Sequence, residues 1–107
     1  MEINETTILK DRGFIQINGM EAKDFLQNIV TNDIEKISES CTLFSSIFTP
    51  QGKYLFEFFI LKLSDGYLLE CEKDIVLEII KILNFYKLRS KVNLIDVSKK
   101  YTNIVIS

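Results

Sequence analysis

The chain has 107 residues, enough for one domain with a core and too few for two. At 47% hydrophobic and 26% charged it has a globular balance, and its net charge of −2 sets it apart from basic nucleic-acid binders. It has no histidine, and its two cysteines, Cys41 and Cys71, are far apart. A His-based triad, a His-ligated zinc and imidazole acid–base chemistry are therefore excluded, and no metal site is expected.

From the N-terminus, MEINETTILK is acidic and polar, unlike a secretory or transit peptide. No apolar run approaches the ~20 residues of a membrane span. A cytoplasmic protein with no membrane partner is expected. ILKDRGFIQI reads as extended, with Arg12-Gly13 as a bend or bulge. In the following NGMEAKDFLQNIVTND, the residues Ala22, Phe25, Leu26, Ile29 and Val30 form one apolar stripe of a helix. Asn18 is its expected N-cap, and Thr31-Asn32-Asp33 its stop.

Strand signals come next. CTLFSSIFT meets KYLFEFFILKL across Pro50-Gln51-Gly52, where Gly52 can take the positive φ that closes a hairpin. Ser64-Asp65-Gly66 is a second turn, returning into YLLECE. DIVLEIIKILNFYKL is a second helix with Asp74 as N-cap and a stripe of Ile75, Ile79, Ile82, Leu83 and Tyr86. Lys87, Arg89 and Lys91 lie near its end, where cations complement the helix dipole. KVNLIDV and TNIVIS alternate as strands do. The two thiols sit in or beside strand-like stretches and read as free and buried. The order β, α, three hairpin-linked strands, α, β, β predicts an α+β fold. Its expected form is an antiparallel sheet with two helices on one face, a ferredoxin-like layout.

The strand at residues 54–63 raises a functional question. Tyr54, Phe56, Phe58 and Ile60 point one way, and Leu55, Glu57, Phe59 and Leu61 the other. Both faces are apolar, so the face without helices needs a cover: another domain, a second subunit or a ligand. Glu57 interrupts that face. Desolvation there favours the neutral acid, suited to proton transfer or to a polar group in an apolar pocket. The structural alternative is a sheet-edge acid paired with Lys53 or Lys62.

The segments LKDRGFIQINGMEAKDFLQNIVTNDI, LFSSIFTPQGKYLFEF and FYKLRSKVNLIDVS carry several motifs in register. These are Arg-Gly, Asn-Gly, Thr-Asn-Asp, Thr-Pro-Gln-Gly and Lys-Leu-Arg-Ser-Lys-Val. Over residues 8–98 the chain resembles the N-terminal part of the YgfZ-type folate-binding proteins, relatives of aminomethyltransferase, the glycine cleavage T-protein. The resemblance implies that residues 1–107 are the N-terminal folate-binding region of a larger protein of three regions around a tetrahydrofolate cavity. The family's Lys-Gly-Cys-Tyr-x-Gly-Gln-Glu signature is absent from this sequence. The implied partners are folate, the remaining C-terminal domains or a second subunit, and iron–sulfur proteins, with no direct nucleic acid.

Carried over position by position, the resemblance makes Glu57 the folate-facing and catalytic carboxylate, where transferases have Asp. Phe44 stands at a folate-contacting tyrosine, able to stack but without the hydroxyl. Arg12 matches the YgfZ-type Arg-Gly and would face the same cavity. Read without the resemblance, Phe44 is a core residue and Arg12 braces a loop or domain contact. Likewise, Arg89 and Lys91 either attract the folate glutamate tail or are a solvated helix end. Two other functions remain open. One is a true aminomethyltransferase in which Glu57 steers protonation of a folate nitrogen, and the other a ferredoxin-like module that self-associates without folate.

Overall fold

The computed structural model describes residues 12–38, 41–49, 51–52 and 55–100. Its described strands are β1 (Arg12–Asn18), β2 (Leu43–Phe48), β3 (Leu55–Leu63), β4 (Gly66–Glu72) and β5 (Asn93–Asp96). Helix α1 (Ala22–Ile29) follows β1, and helix α2 (Val76–Lys87) follows β4. The strands form one sheet in the order β2-β3-β4-β1-β5, with every neighbouring pair antiparallel. This is the expected α+β architecture with both helices on one face.

Register explains the core. Ile15 and Ile17 on β1 oppose Leu69 and Tyr67 on β4, Leu69 opposes Ile60 on β3, and Phe58 opposes Ser45 on β2. Because strand side chains alternate, these residues share the inner face. They pack there against Phe25 and Leu26 of α1 and Val76, Ile79, Ile82 and Leu83 of α2. The 3.6-residue stripes of both helices therefore lie where the sequence places them, with Ile29, Val30, Ile75 and Tyr86 only partly buried at the margins.

The helix starts differ from expectation. Asn18 is the last residue of β1, paired with Gly66 on one side and Asn93 on the other, so its backbone is committed to two ladders. The chain turns at Gly19, φ 121°, and α1 begins at Ala22 after Glu21, which makes no side-chain cap bond. Asp74 likewise does not cap α2. It lies within a 3-10 turn, Lys73–Ile75, and Ile75 occupies the cap position. Arg12-Gly13 is neither bend nor bulge: Arg12 pairs with Glu72 and Gly13 with Cys71 in regular register. A Cβ on Gly13 would lie 2.1 Å from Val76 Cγ2, so glycine is there for the close approach of α2.

The hairpin turn is as expected at its glycine. Gly52 has φ 69°, and its N–H donates to Thr49 O at 2.7 Å. Pro50, Lys53, Tyr54 and the strand expected at TNIVIS lie outside the described residues. Of the cysteines, Cys71 is buried as expected, whereas Cys41 is exposed beside β2.

Candidate functional site

The sheet face away from the helices carries the acid. On β3, Leu55, Glu57 and Phe59 point outward, opposite Phe48, Ser46 and Phe44 of β2. Glu57 is exposed, with Leu55 and Phe59 beside it on its own strand and Phe44 and Phe48 on the diagonals. Those four apolar side chains are each between 39% and 50% exposed. The rings of Phe44 and Phe59 lie 5.0 Å apart, tilted by 59°. One carboxylate thus stands within an open apolar patch, a combination the β2–β3 register creates.

Three contacts fix β2 along the edge that no strand covers among the described residues. Thr31 N–H donates to Ser46 O at 3.0 Å, Asn32 Nδ2 to Phe44 O at 3.2 Å, and Tyr86 O–H to Phe48 O at 3.2 Å. The Thr31 and Ser46 hydroxyls are also 3.0 Å apart. The edge carbonyls of the residues flanking Glu57 are satisfied by non-strand partners, which blocks addition of another strand and holds Phe44 in place. Thr31-Asn32-Asp33 is therefore more than a helix stop: α1 has already ended at Ile29, and the motif clamps the strand. No local pattern signals this clamp, because Thr31 and Ser46 are 15 residues apart in the chain.

Arg12 points to the same face from β1, two strands from β3. Its Nε donates to Glu70 Oε2 at 3.2 Å, and both side chains are partly buried. Glu70 opposes Phe59 in the ladder, so Arg12 braces the patch through Glu70 and is not paired with Glu57. Lys62 has the opposite strand parity. Its Nζ donates to Leu63 O and sits 4.9 Å from the Tyr67 ring centroid, so it does not neutralise Glu57. Phe44 and Glu57 are brought together, Arg12 is linked indirectly, and the described chain leaves Glu57 without a charged partner or a cover.

The inner face holds the Tyr67 phenol and the Cys71 thiol. Burial raises the Tyr67 phenol above its ordinary value and pushes the Cys71 thiol up to about 11. Two hollows lie elsewhere. One, of about 370 Å³, is lined by residues including Lys23, Glu35 and Tyr67; the other, of about 870 Å³, by residues including Leu77, Val97 and Lys99. Neither includes Arg12, Phe44 or Glu57. Among the described residues no cluster of His, Cys, Asp or Glu could hold a metal ion.

No family model matches the chain. It is similar to an aminomethyltransferase of Desulforamulus reducens, 40% identical over 53 residues, covering 50% of this chain and 15% of that protein. It is also similar to two proteins named iron-sulfur cluster assembly factor IBA57 homolog, mitochondrial. The one from Mycosarcoma maydis is 31% identical over 104 residues, covering 84% of this chain and 26% of its own length. The one from Pyricularia oryzae is 34% identical over 93 residues, covering 82% and 23% respectively. The chain thus spans about a quarter or less of the length of these relatives. In structure it is similar to the glycine cleavage system aminomethyltransferase T from Bartonella henselae. The TM-score is 0.73 at 12% identity, over 89% of this chain and 29% of that one, a likeness of fold alone. With those relatives in sequence and that neighbour in fold, the chain resembles the N-terminal part of the aminomethyltransferases and the YgfZ-like IBA57 proteins.

Proposed function

We propose that this chain forms one wall of a tetrahydrofolate site in a protein that serves iron–sulfur cluster assembly. The observation that carries the reading is the placement of Glu57 among the exposed side chains of Phe44, Phe48, Leu55 and Phe59 on the sheet face away from the helices. A reduced pteridine has a flat ring for aromatic side chains and polar ring N–H groups that a carboxylate can accept from. Covering the patch removes apolar area from water at roughly 25 cal/mol per Å². It also desolvates Glu57, which strengthens its hydrogen bond to a ring N–H. Arg12, fixed on Glu70, holds the adjoining strands in register and is a positioning residue. The IBA57 names of the relatives support the cluster-assembly role, and the family's remaining domains and iron–sulfur proteins are the partners this reading implies. Those fungal names place the relatives in mitochondria.

The aminomethyltransferase alternative draws on the 40% match over 53 residues. Phe44 in place of a tyrosine, and Glu57 in place of an aspartate, weigh against transfer and leave binding. Calorimetric titration of the chain with 5-formyltetrahydrofolate, a stable reduced folate, tests the reading. Saturable binding that falls about tenfold or more in Glu57→Gln, with stability unchanged, is expected. Equal affinity in the variant removes Glu57 from the site.

A further inference from the structure

Helix α2 is apolar on two sides. Its inner row is in the core, yet Leu77 and Phe85 on the outside are 73% and 58% exposed, and Leu88, just past the last turn, is 84% exposed. Leu77, Lys81 and Phe85 are spaced i, i+4, i+8 and share a narrow stripe, and the row to Leu88 is roughly 16 Å long. The row is held rigidly at its lower end. Phe85 meets Tyr86 edge-on at 5.5 Å, and Tyr86 is anchored by its hydroxyl to Phe48 O.

Leu88 is the second anomaly. Among the described residues it is the non-glycine residue with positive φ, 47°, and ψ −109°. That combination of φ and ψ lies outside the left-handed helical region and matches the glycine-favouring first corner of a type II′ turn, so a leucine there is strained. The strain secures no packing within the described chain, because the side chain projects into solvent. An apolar side chain held outward at a backbone cost points to a contact outside the domain.

Charge identifies the kind of contact. Residues 73–100 contain seven Lys or Arg and three Asp or Glu, a local charge of +4 in a chain of net −2. Lys81 interrupts the apolar row, and Lys87, Arg89 and Lys91 collar its end. No ion pair engages these four among the described residues. A second copy of α2 would set like charges against each other. A membrane would have to desolvate Lys81 in the middle of a row of three apolar side chains. A partner helix presenting a leucine row flanked by carboxylates satisfies both features at once.

We infer that the outer face of α2, from Leu77 to Leu88, is a docking site for an acidic amphipathic helix of a partner protein. It lies on the helical layer, separate from the Glu57 patch, and does not depend on folate binding. The test uses a fluorescein-labelled helical peptide of about three heptads, with one leucine row and glutamates elsewhere. Its anisotropy is followed against the 107-residue chain. Saturable, salt-sensitive binding is expected, at least about tenfold weaker for a scrambled peptide of equal composition and for Lys81→Glu. Leu88→Gly is the decisive variant: it relieves the strained backbone, so the thermal midpoint holds or rises while peptide affinity falls by a similar factor. Absence of peptide binding, or full affinity in Leu88→Gly and Lys81→Glu, overturns the inference. So does preference for phosphatidylserine vesicles or single-stranded RNA over the peptide, or a concentration-dependent dimer lost in Leu88→Gly.

Discussion

Gly19→Ala is expected to be among the most damaging small substitutions in this chain. Gly19 holds φ 121°, a backbone region that a residue with Cβ occupies at a cost of about 1–3 kcal/mol. An added Cβ would lie 2.4 Å from Lys91 O and 3.0 Å from Val92 Cα, both backbone atoms that no rotamer change can move away. Separating the two segments stretches two bonds, Glu21 N–H to Lys91 O and Lys91 N–H to Glu21 Oε1, each 3.3 Å. Losing them adds about 0.5–1.5 kcal/mol apiece. The total is about 4 kcal/mol, a shift in urea midpoint of roughly 1–4 M at unchanged m. Gly52→Ala is the internal control, because φ is again positive, 69°, but a Cβ meets nothing within 4 Å. Its cost is limited to the backbone term of about 1 kcal/mol. Equilibrium urea unfolding of both variants, followed by far-UV circular dichroism, decides the matter. A Gly19→Ala midpoint no lower than that of Gly52→Ala would refute the close-approach argument.

Four further outcomes follow from the same structure. Phe58, 1% exposed, sits in the core, so Phe58→Ala should lose about 3–5 kcal/mol in urea unfolding, whereas Phe59→Ala on the open face should lose about 1 kcal/mol. Arg12→Ala removes a partly buried pair with Glu70 and should cost about 1 kcal/mol, less in high salt; a salt-independent loss would mean that packing, not charge, holds Arg12. Cys71, buried with its thiol raised from 9.0 to about 11, binds its proton more tightly folded than unfolded. Its contribution is complete below pH 9 and is lost as pH rises toward 11, so stability should fall across that window in the wild type and less in Cys71→Ala. In the folded chain at pH 8, Ellman's reagent should react with the exposed Cys41 and not with Cys71.

The parts legible in the sequence are those governed by periodicity. Alternation in residues 55–63 separates Phe58 and Ile60 from Glu57 and Phe59, and the structure keeps that division. The helical stripes at Phe25-Leu26 and Ile79-Ile82-Leu83 are buried for the same reason. Helix starts were not legible, because capping propensity is local whereas the actual boundaries are set by tertiary pairing. Asn18 is taken by β4 and β5, and Asp74 lies within a 3-10 turn. The candidate site divides in the same way. Strand parity puts Glu57 on the open face, but its alignment with Ser46, Phe44 and Phe48 depends on the register across the hairpin. The clamp of Thr31 and Asn32 on β2 and the Arg12–Glu70 pair are contacts between distant segments, invisible to any local pattern.

The most direct test of the folate-wall reading is residue-resolved. Backbone amide and aromatic NMR shifts of the chain are recorded during titration with 5-formyltetrahydrofolate. The account predicts saturable shifts at Phe44, Ser46, Glu57 and Phe59, with α2 and the Lys23–Tyr67 hollow undisturbed. Shifts centred on that hollow or on α2, or no shifts on the β2–β3 face at saturating folate, would contradict it.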